Sequence, residues 1–389
     1  MVAKGSESSV IQLVDKIVNS AIERGASDIH VEATPQGARV RYRIDGVLYD
    51  QGIIPSSLMV QVASRLKILS NINIAEKRIP QDGKFRTKFE GNDIDLRVST
   101  FPSIHGEKVV VRILDRSKNM IDLESLGFEG SMFQNFKKLV SRPSGFFLVT
   151  GPTGSGKTTT LYAALSKLNT PEKNIITLED PVEYNLDGIT QGQIHPDAGF
   201  TFDKGIRAVL RQDPDVAMVG EIRDKETAQI AIEAALTGHS VFSTLHTNDA
   251  PGAIMRLMDM GVEPFLINAS LTGVLAQRLA RKICKECRVE YSPNDQEQKL
   301  LAKRGFPLET LYKGQGCDAC FGLGYKGRVG IFELLNMTGD LRSLVVHRPV
   351  FDDIRAQART DGMCSLFDDG IQKVKNGVIS LEDLGRVVL

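Results

Sequence analysis

The chain has 389 residues, of which 42% are hydrophobic and 25% charged, a composition typical of globular proteins and a length sufficient for two or three domains. Basic and acidic residues both count 48, tryptophan is absent and aromatic residues make up 6%, so neither net charge nor base stacking favours nucleic-acid binding. The sequence has no apolar run of about 18 residues and no signal-peptide core at its start, which excludes a membrane-spanning helix and predicts a cytosolic protein.

The first part of the chain has the pattern of a small α+β domain. Apolar residues recur at helical spacing between residues 10 and 21, and a second helix is predicted over about 57–69. Alternating or apolar runs, with a hairpin turn at Asp45-Gly46, predict strands over 28–32, 39–44, 47–49, 83–89, 93–99 and 108–114. These patterns predict a domain over 1–115, followed by a linker over 116–127.

From about residue 128 the pattern changes to strands that alternate with helices. The predicted strands are 145–150, 174–178, 216–219 and 240–245, and the predicted helices are 158–168, 202–211, 224–237 and 250–260. This alternation predicts an α/β core over 128–280 with a mostly parallel, doubly wound sheet. Ligands of such sheets bind at the carboxyl ends of the strands.

A phosphate-binding loop of the form G-x-x-x-x-G-K-[ST] lies between the first of these strands and the first helix. Its residues are Gly151, Pro152, Thr153, Gly154, Ser155, Gly156, Lys157 and Thr158, and Thr159 continues the predicted nucleotide contacts into the helix. Backbone N–H groups at the helix start surround phosphates, and the glycines permit this close approach. Lys157 is predicted to reach the β- and γ-phosphates and the Thr158 hydroxyl to bind Mg²⁺, so we expect ATP and Mg²⁺ as ligands.

Two acidic segments follow predicted strands of the core. Glu179, Asp180 and Glu183 follow the strand 174–178, where they could hold Mg²⁺, orient water or accept a proton, and a solvated turn is the alternative. Glu221 follows the strand 216–219, where P-loop enzymes place a second metal-side carboxylate, and we expect it to meet Mg²⁺ through water.

Five basic residues are further candidates for contacts with the γ-phosphate. They are Arg207, Arg211, Arg223, His239 and His246. For each arginine the alternative is an ordinary salt bridge. His246 follows the last predicted strand and could sense the γ-phosphate, whereas His239 precedes that strand and has a structural role as its alternative.

Four of the five cysteines form two C-x-x-C pairs, Cys284/Cys287 and Cys317/Cys320. In a cytosolic chain this pattern favours a metal, and four thiolates favour structural, tetrahedral Zn²⁺, with redox pairs or free thiols as alternatives. The long separation of the pairs predicts an inserted element, and we place a four-cysteine subdomain at 281–335 and a helical segment at 336–389. Cys364 is predicted to be a small core residue.

These motifs, in this order, resemble those of the ATPases of type II secretion and type IV pilus assembly. The matching segments are 151–158, 176–183 (the Asp box of that family), 220–224 (an atypical Walker B), 237–246 (the His box) and the four cysteines, together with 26–30, 41–46 and 96–100 in the small domain. The resemblance covers residues 10 to 389.

The resemblance implies a hexameric, RecA-like P-loop ATPase whose small PAS-like domain closes over the nucleotide. It implies that Glu183 activates the attacking water, that Glu221 is the Walker B acid, and that Arg97 and Arg112 reach the phosphates. For these two arginines, solvent-facing strand residues are the alternative. The implied partners are an inner-membrane platform protein and further copies of the chain, with peripheral membrane association through these partners.

One departure concerns the N-terminus, since full-length members usually carry a further domain there. The chain is therefore expected to be a truncated or short member of the group. The alternative functions are a nucleic-acid translocase, a pilus retraction motor, whose group typically lacks the four cysteines, and a nucleotide-binding switch that does not hydrolyse.

Overall fold

The computed structural model describes residues 7–115 and 122–388, which belong to two compact units. Part of the predicted linker, residues 116–121, lies outside the described residues. Within the described ranges no helix has both the length and the apolar character needed to cross a bilayer.

The first unit is an antiparallel sheet with two helices. Its elements are α1 (Glu7–Glu23), β1 (Ala26–Thr34), β2 (Gly37–Ile44), β3 (Val47–Pro55), α2 (Ser56–Leu69), β4 (Gln81–Phe89), β5 (Asn92–Ser103) and β6 (Gly106–Asp115). The strand order is β3-β2-β1-β6-β5-β4, and α1 and α2 pack against each other and against the sheet. Asp45 and Gly46 both have positive φ, as the predicted hairpin turn requires. The predicted α+β class is confirmed.

The second unit alternates strands and helices and ends in a helical segment. Its elements are α3 (Gly130–Val140), β7 (Gly145–Thr150), α4 (Lys157–Leu168), β8 (Ile175–Glu179), β9 (Thr190–Gln193), α5 (Phe202–Val209), β10 (Val216–Val219), α6 (Lys225–Leu236), β11 (Ser240–Leu245), α7 (Ala250–Asp259), α8 (Pro264–Ser270), β12 (Leu271–Ile283), β13 (Arg288–Tyr291), α9 (Asp295–Lys303), β14 (Leu311–Gly314), β15 (Tyr325–Asn336), α10 (Gly339–Val346), α11 (Phe351–Thr360), α12 (Leu366–Lys375) and α13 (Leu381–Val388).

A seven-stranded sheet forms the centre of this unit, in the order β15-β12-β7-β11-β10-β8-β9. All neighbouring strands are parallel except β12 and β15, which pair antiparallel at one edge. Residues of α6 and α7 belong to one apolar core and residues of α3 and α4 to another, as expected when helices cover both faces of a parallel sheet. The predicted doubly wound α/β fold is confirmed. Because β7, β8, β10 and β11 are parallel, the segments that follow them meet at one edge of the sheet.

Some of the predicted domain borders fall within continuous strands or packed cores of the second unit. Leu123 and Leu126, within the predicted linker, are buried in the core that contains α3 and α4. The predicted border at 280/281 falls inside β12, and the border at 335/336 falls at the end of β15. Residues of α9 and β14, between the cysteine pairs, share a third core with α12 and α13. The four-cysteine segment and the helical segment are therefore packed as one body.

Candidate nucleotide and metal sites

The loop at 151–156 connects β7 to α4 with a backbone that demands glycine. Gly151 has φ of +148°, and a Cβ there would lie 2.5 Å from the carbonyl oxygen of Gln277. Gly156 has φ of +86° and directly precedes α4, and no side chain caps the start of this helix. The first N–H groups of α4 therefore remain available to an anion at the helix start.

Two side chains of this loop add polar groups that fit a phosphate. The Nζ of Lys157 donates to the carbonyl oxygens of Gly151 (2.8 Å) and Pro152 (3.2 Å), which holds its ammonium group over the loop. Burial lowers the pKa of Lys157, an effect that the charge of Glu221 opposes. The buried hydroxyl of Ser155 has no hydrogen-bond partner within the described ranges, and the neighbouring Thr158 is half-buried in the first turn of α4. The loop thus offers a cation and hydroxyl groups to a bound polyanion.

Four of the predicted site residues form a charged cluster after β8, β10 and β11. The carboxylate of Glu221 accepts a hydrogen bond from Arg223 and lies 3.4 Å from Nε2 of His246. Arg223 also lies 3.5 Å from Oδ2 of Asp180. Burial acts to raise the pKa of Glu221, but Arg223 and His246 outweigh it and the net effect lowers this pKa. Glu221 is therefore held ionised beside the phosphate-binding loop.

Glu183 lies in the loop that follows β8, and its side chain is exposed. Among the residues that the structure describes, no cation pairs with its carboxylate. An exposed, unpaired carboxylate at this edge of the sheet is free to accept a proton from a bound water molecule.

Glu179 lies in the same segment but does not face the phosphate-binding loop. Its side chain is 3% exposed, and it accepts hydrogen bonds from the hydroxyl groups of Tyr162 and Thr177 and from the amide of Gln191. These three partners hold the carboxyl group of Glu179 in the interior of the unit. Direct contact of Glu179 with nucleotide stays a prediction.

Three other predicted contact residues have structural partners within the unit. His239 precedes β11, and its Nδ1 lies 2.9 Å from the carbonyl oxygen of Ala234 at the end of α6. The strand β11 separates His239 from the phosphate-binding edge by about 20 Å, since a strand rises about 3.3 Å per residue. Arg207 pairs with Glu226 on the surface, and Arg211 donates to the carbonyl oxygen of Arg207. Arg207 thus forms the salt bridge and His239 the structural contact that the sequence left as alternatives, and contact of these three residues with nucleotide stays a prediction.

The first unit presents two exposed arginines in one row with a buried aspartate. Arg97 on β5 lies directly opposite Arg112 on β6, and Arg112 lies opposite Asp28 on β1. Arg112 donates from Nε to Oδ1 of Asp28 at 3.0 Å, whereas no ion pair is found for Arg97 among the described residues. Two like charges opposite each other are unfavourable unless an anion or carboxylate compensates them.

The four predicted cysteines converge. Their sulfur atoms all lie within 4.8 Å of one another, and three of the separations are 3.7–3.9 Å. Four thiolates around one Zn²⁺ at about 2.3 Å would be about 3.8 Å apart, so the cluster fits a tetrahedral ion. Backbone N–H groups of Gly316 and Gly324 donate to Cys287 and Cys320, which supports the ligands from behind. Cys364 is exposed, so its prediction as a core residue is wrong.

Comparison with known proteins decides the family. Residues 3–386 match the model of the type II/IV secretion system protein family. The chain belongs to this family.

Individual family members agree with this assignment. The type II secretion system ATPase E of Vibrio cholerae is 49% identical over 98% of this chain and 76% of its own length. The type IV pilus assembly ATPase PilB of Thermus thermophilus is 47% identical over 97% of this chain and 43% of its own length. The crystal structure of the pilus retraction motor PilT with bound ADP has 27% identity and a TM-score of 0.62, covering 95% of each chain. The predicted resemblance and the predicted ATPase class are confirmed.

The sequence patterns did not predict two residues whose side chains hold parts of the nucleotide site in place. Gln277 on β12 donates from Nε2 to the carbonyl oxygen of Ser155 and accepts from the hydroxyl of Thr160. Tyr162 on α4 donates to Glu179. The only sequence signal is a polar residue within an otherwise apolar stretch, and such a residue is more often exposed than buried.

Proposed function

We propose that this chain is a Mg²⁺-dependent motor ATPase that powers the polymerisation of pilin or pseudopilin subunits. It acts as a homo-hexamer at an inner-membrane platform protein, to which it binds from the cytoplasmic side. Family membership and the names of the relatives support this reading. The observation that carries the hydrolytic half is the joint position of the Lys157 loop, the Glu221 cluster and the exposed Glu183 at one edge of the sheet.

Each residue at this edge is given one task. Residues 151–159 hold the triphosphate, with the Lys157 ammonium group at the β- and γ-phosphates. The Thr158 hydroxyl and, through water, Glu221 would hold Mg²⁺, which neutralises charge on the β- and γ-oxygens when bound. Glu183 accepts the proton of the attacking water, and His246 and Arg223 respond to the γ-phosphate through Glu221 and Asp180.

The two arginines of the first unit complete the proposed site. Arg97 and Arg112 deliver positive charge to the phosphates when the small domain closes. The exposure of both residues on the same row of the sheet supports this role. Hydrolysis removes the anion that compensates them, so the small domain would be released and the cycle would produce movement.

We also propose that Cys284, Cys287, Cys317 and Cys320 bind structural Zn²⁺. The spacing of their sulfur atoms supports Zn²⁺ as the ion. Its role would be structural, because four thiolates leave no coordination position open for a substrate. The same cluster supports assembly over retraction, since retraction motors typically lack it. The identities of 49% and 47% do not favour secretion over pilus assembly, and the two remain alternative machines for one motor.

Replacing Lys157 by alanine in the organism that carries the gene tests the proposed function. The expected result is a loss of surface pili or of secreted proteins, and which of the two is lost identifies the machine. A matched Thr272→Val strain controls for abundance, since Thr272 makes a buried hydrogen bond to the carbonyl oxygen of Phe146 far from the site. Normal piliation and secretion in the Lys157→Ala strain would contradict the proposal.

A further inference from the structure

The loop that carries Glu183 is held from behind by a buried set of polar side chains. We name this set the Tyr162 cluster, and it comprises Tyr162 on α4, Thr177 and Glu179 on β8, and Gln191 on β9. It lies entirely within the second unit. Its side chains have no part in the proposed binding or hydrolysis of the nucleotide.

Hydrogen bonds from this cluster reach the loop at several backbone positions. The Tyr162 hydroxyl donates to Oε2 of Glu179, the residue that ends β8 before the loop. The side-chain amide of Gln191 donates to the carbonyl oxygen of Tyr184 at 3.2 Å and accepts from the backbone N–H of Leu186 at 2.7 Å. The loop is therefore held by hydrogen bonds at positions before and after Glu183.

The same side chains also bind one another. The Nε2 of Gln191 lies 3.2 Å from Oε1 of Glu179 and 3.3 Å from the Tyr162 hydroxyl, and the Thr177 hydroxyl donates to Oε1 of Glu179 at 2.5 Å. The ring of Tyr184 packs edge-on against the ring of Tyr162, with centroids 4.7 Å apart. Because Tyr162 lies on the helix that begins at Lys157, the cluster joins the phosphate-binding loop to the Glu183 loop through one rigid helix.

The burial of the Glu179 carboxyl group indicates that this arrangement is not explained by stability alone. Its carboxylate is buried, yet within the described ranges no lysine, arginine or histidine pairs with it, and its donors there are neutral groups. Burying a carboxylate without a cation is costly, and an apolar residue would be the more stabilising choice. A polar network that is retained against such a cost fixes the orientation of whatever it binds, here the Glu183 loop.

We infer that Tyr162 and Gln191 are positioning residues that fix Glu183 in its proton-accepting geometry. This inference rests on the role proposed above for Glu183. The two residues do not touch the nucleotide, so their loss misplaces the base without removing phosphate contacts.

Two substitutions test the inference through the rate of ATP hydrolysis. Gln191→Leu removes both loop contacts with little change of volume, and Tyr162→Phe removes only the hydroxyl and keeps the ring packing. A misplacement of about 1 Å at a reacting group can cost about 100-fold in rate, so we expect kcat to fall about 10- to 100-fold. The Kd for a fluorescent ATP analogue should change less than about threefold, since the phosphate-binding loop is intact.

A matched control separates positioning from loss of stability. Thr272→Val also removes one buried hydrogen bond of the same unit, but on β12 next to Phe146. It should lower the melting temperature by an amount comparable to that of Tyr162→Phe and leave kcat unchanged. Equal losses of kcat in Thr272→Val and Tyr162→Phe would overturn the inference.

The decisive experiment combines Tyr162→Phe and Gln191→Leu, each in turn, with Glu183→Gln. If the cluster acts through Glu183, Gln191→Leu should cost less than about threefold in a background that already lacks the base, because residues that act as a unit are not additive. An equal fold-loss in both backgrounds would overturn the inference while leaving the role of Glu183 intact. Wild-type turnover by the Glu183→Gln single variant would instead overturn the proposed role of Glu183, and the inference with it.

Discussion

Arg97 on β5 lies directly opposite Arg112 on β6, and both side chains are exposed; within residues 7–115 and 122–388 only Arg112 pairs with a carboxylate, that of Asp28. Two cross-strand arginines repel each other, and such an arrangement is tolerated where an anion compensates it. This pair is therefore the part of the first unit that we propose to meet the triphosphate.

Arg97→Ala is expected to reduce kcat by about 100-fold or more, since a cation that meets developing phosphoryl charge contributes at least that much. Nucleotide affinity should fall far less, and the melting temperature should stay the same or rise because a like-charge contact is removed. Arg86→Ala is the matched control, since Arg86 lies on β4 of the same sheet and pairs with Asp95. An unchanged kcat in Arg97→Ala would make Arg97 an ordinary surface residue.

Glu183→Gln should bind ATP normally but hydrolyse it about 100- to 10,000-fold more slowly, as loss of a general base does. Glu221→Gln should lower the affinity for Mg²⁺ and so raise the Mg²⁺ concentration needed for hydrolysis. The reason is the proposed role of the ionised Glu221 carboxylate, between Arg223 and His246, in holding the ion. Single-turnover hydrolysis and a Mg²⁺ titration distinguish the two. If Glu221→Gln retains ATP unhydrolysed while Glu183→Gln turns over, the two roles are exchanged.

The purified protein should contain one Zn²⁺ per chain, measured by atomic emission. Cys287→Ser should lose the metal and lower the melting temperature, because the cluster binds β13 and β14 to the core shared with α12 and α13. Cys364→Ser is the control, since Cys364 is exposed and outside the cluster. Full metal content in Cys287→Ser would contradict a four-thiolate site.

Asp383 is predicted to make stability depend on pH at the acid end. It is fully buried and accepts hydrogen bonds from the backbone N–H of Arg281 (2.5 Å) and from the side chains of Arg281 and Arg386. Burial acts to raise the pKa of Asp383, but these bonds outweigh it and the net effect lowers the pKa. A folded pKa below the unfolded value means that the stabilisation is complete above about pH 4 and is lost as pH falls through the folded pKa.

Asp383→Asn should therefore lower the free energy of unfolding at pH 7 by about 3–5 kcal/mol, as broken buried ion pairs do. Urea unfolding measured between pH 7 and pH 3 should show the gap to the wild type closing at the acid end. Asp50→Asn, which removes a surface pair with Arg39, should change stability little at any pH. A gap that stays constant down to pH 3 would contradict the account of Asp383.

The residues of the phosphate-binding loop could be predicted because every fixed position of the motif and its strand–helix context are local in sequence. The same holds for the convergence of Glu221 and His246, which follows from parallel strands that end at one edge. The direction of Glu179 could not be predicted, because its partners Tyr162 and Gln191 lie 17 and 12 residues away and are brought to it only by tertiary packing. The contact of His239 with the carbonyl oxygen of Ala234 could not be predicted from local sequence, because it depends on how α6 ends beside β11.

Local sequence patterns also do not predict the long strand β12. Its sequence has apolar residues at mixed spacings with Arg278 and Arg281 among them, which does not alternate as a half-exposed strand would. Burial of both faces and the ion pair of Arg281 with Asp383 explain this composition, and both depend on residues that are distant in sequence, on β7, β15 and α13. Tertiary contacts therefore override the local signal at the border where a separate subdomain was predicted.

The central claim is that this chain hydrolyses ATP at the loop that carries Lys157. Steady-state phosphate release by the purified, assembled protein with ATP and Mg²⁺, compared with Lys157→Ala, tests it most directly. We predict turnover that requires Mg²⁺, is unaffected by DNA and is abolished in Lys157→Ala. Equal phosphate release by the two proteins, or none from the wild type assembled with its membrane partner, would contradict the claim.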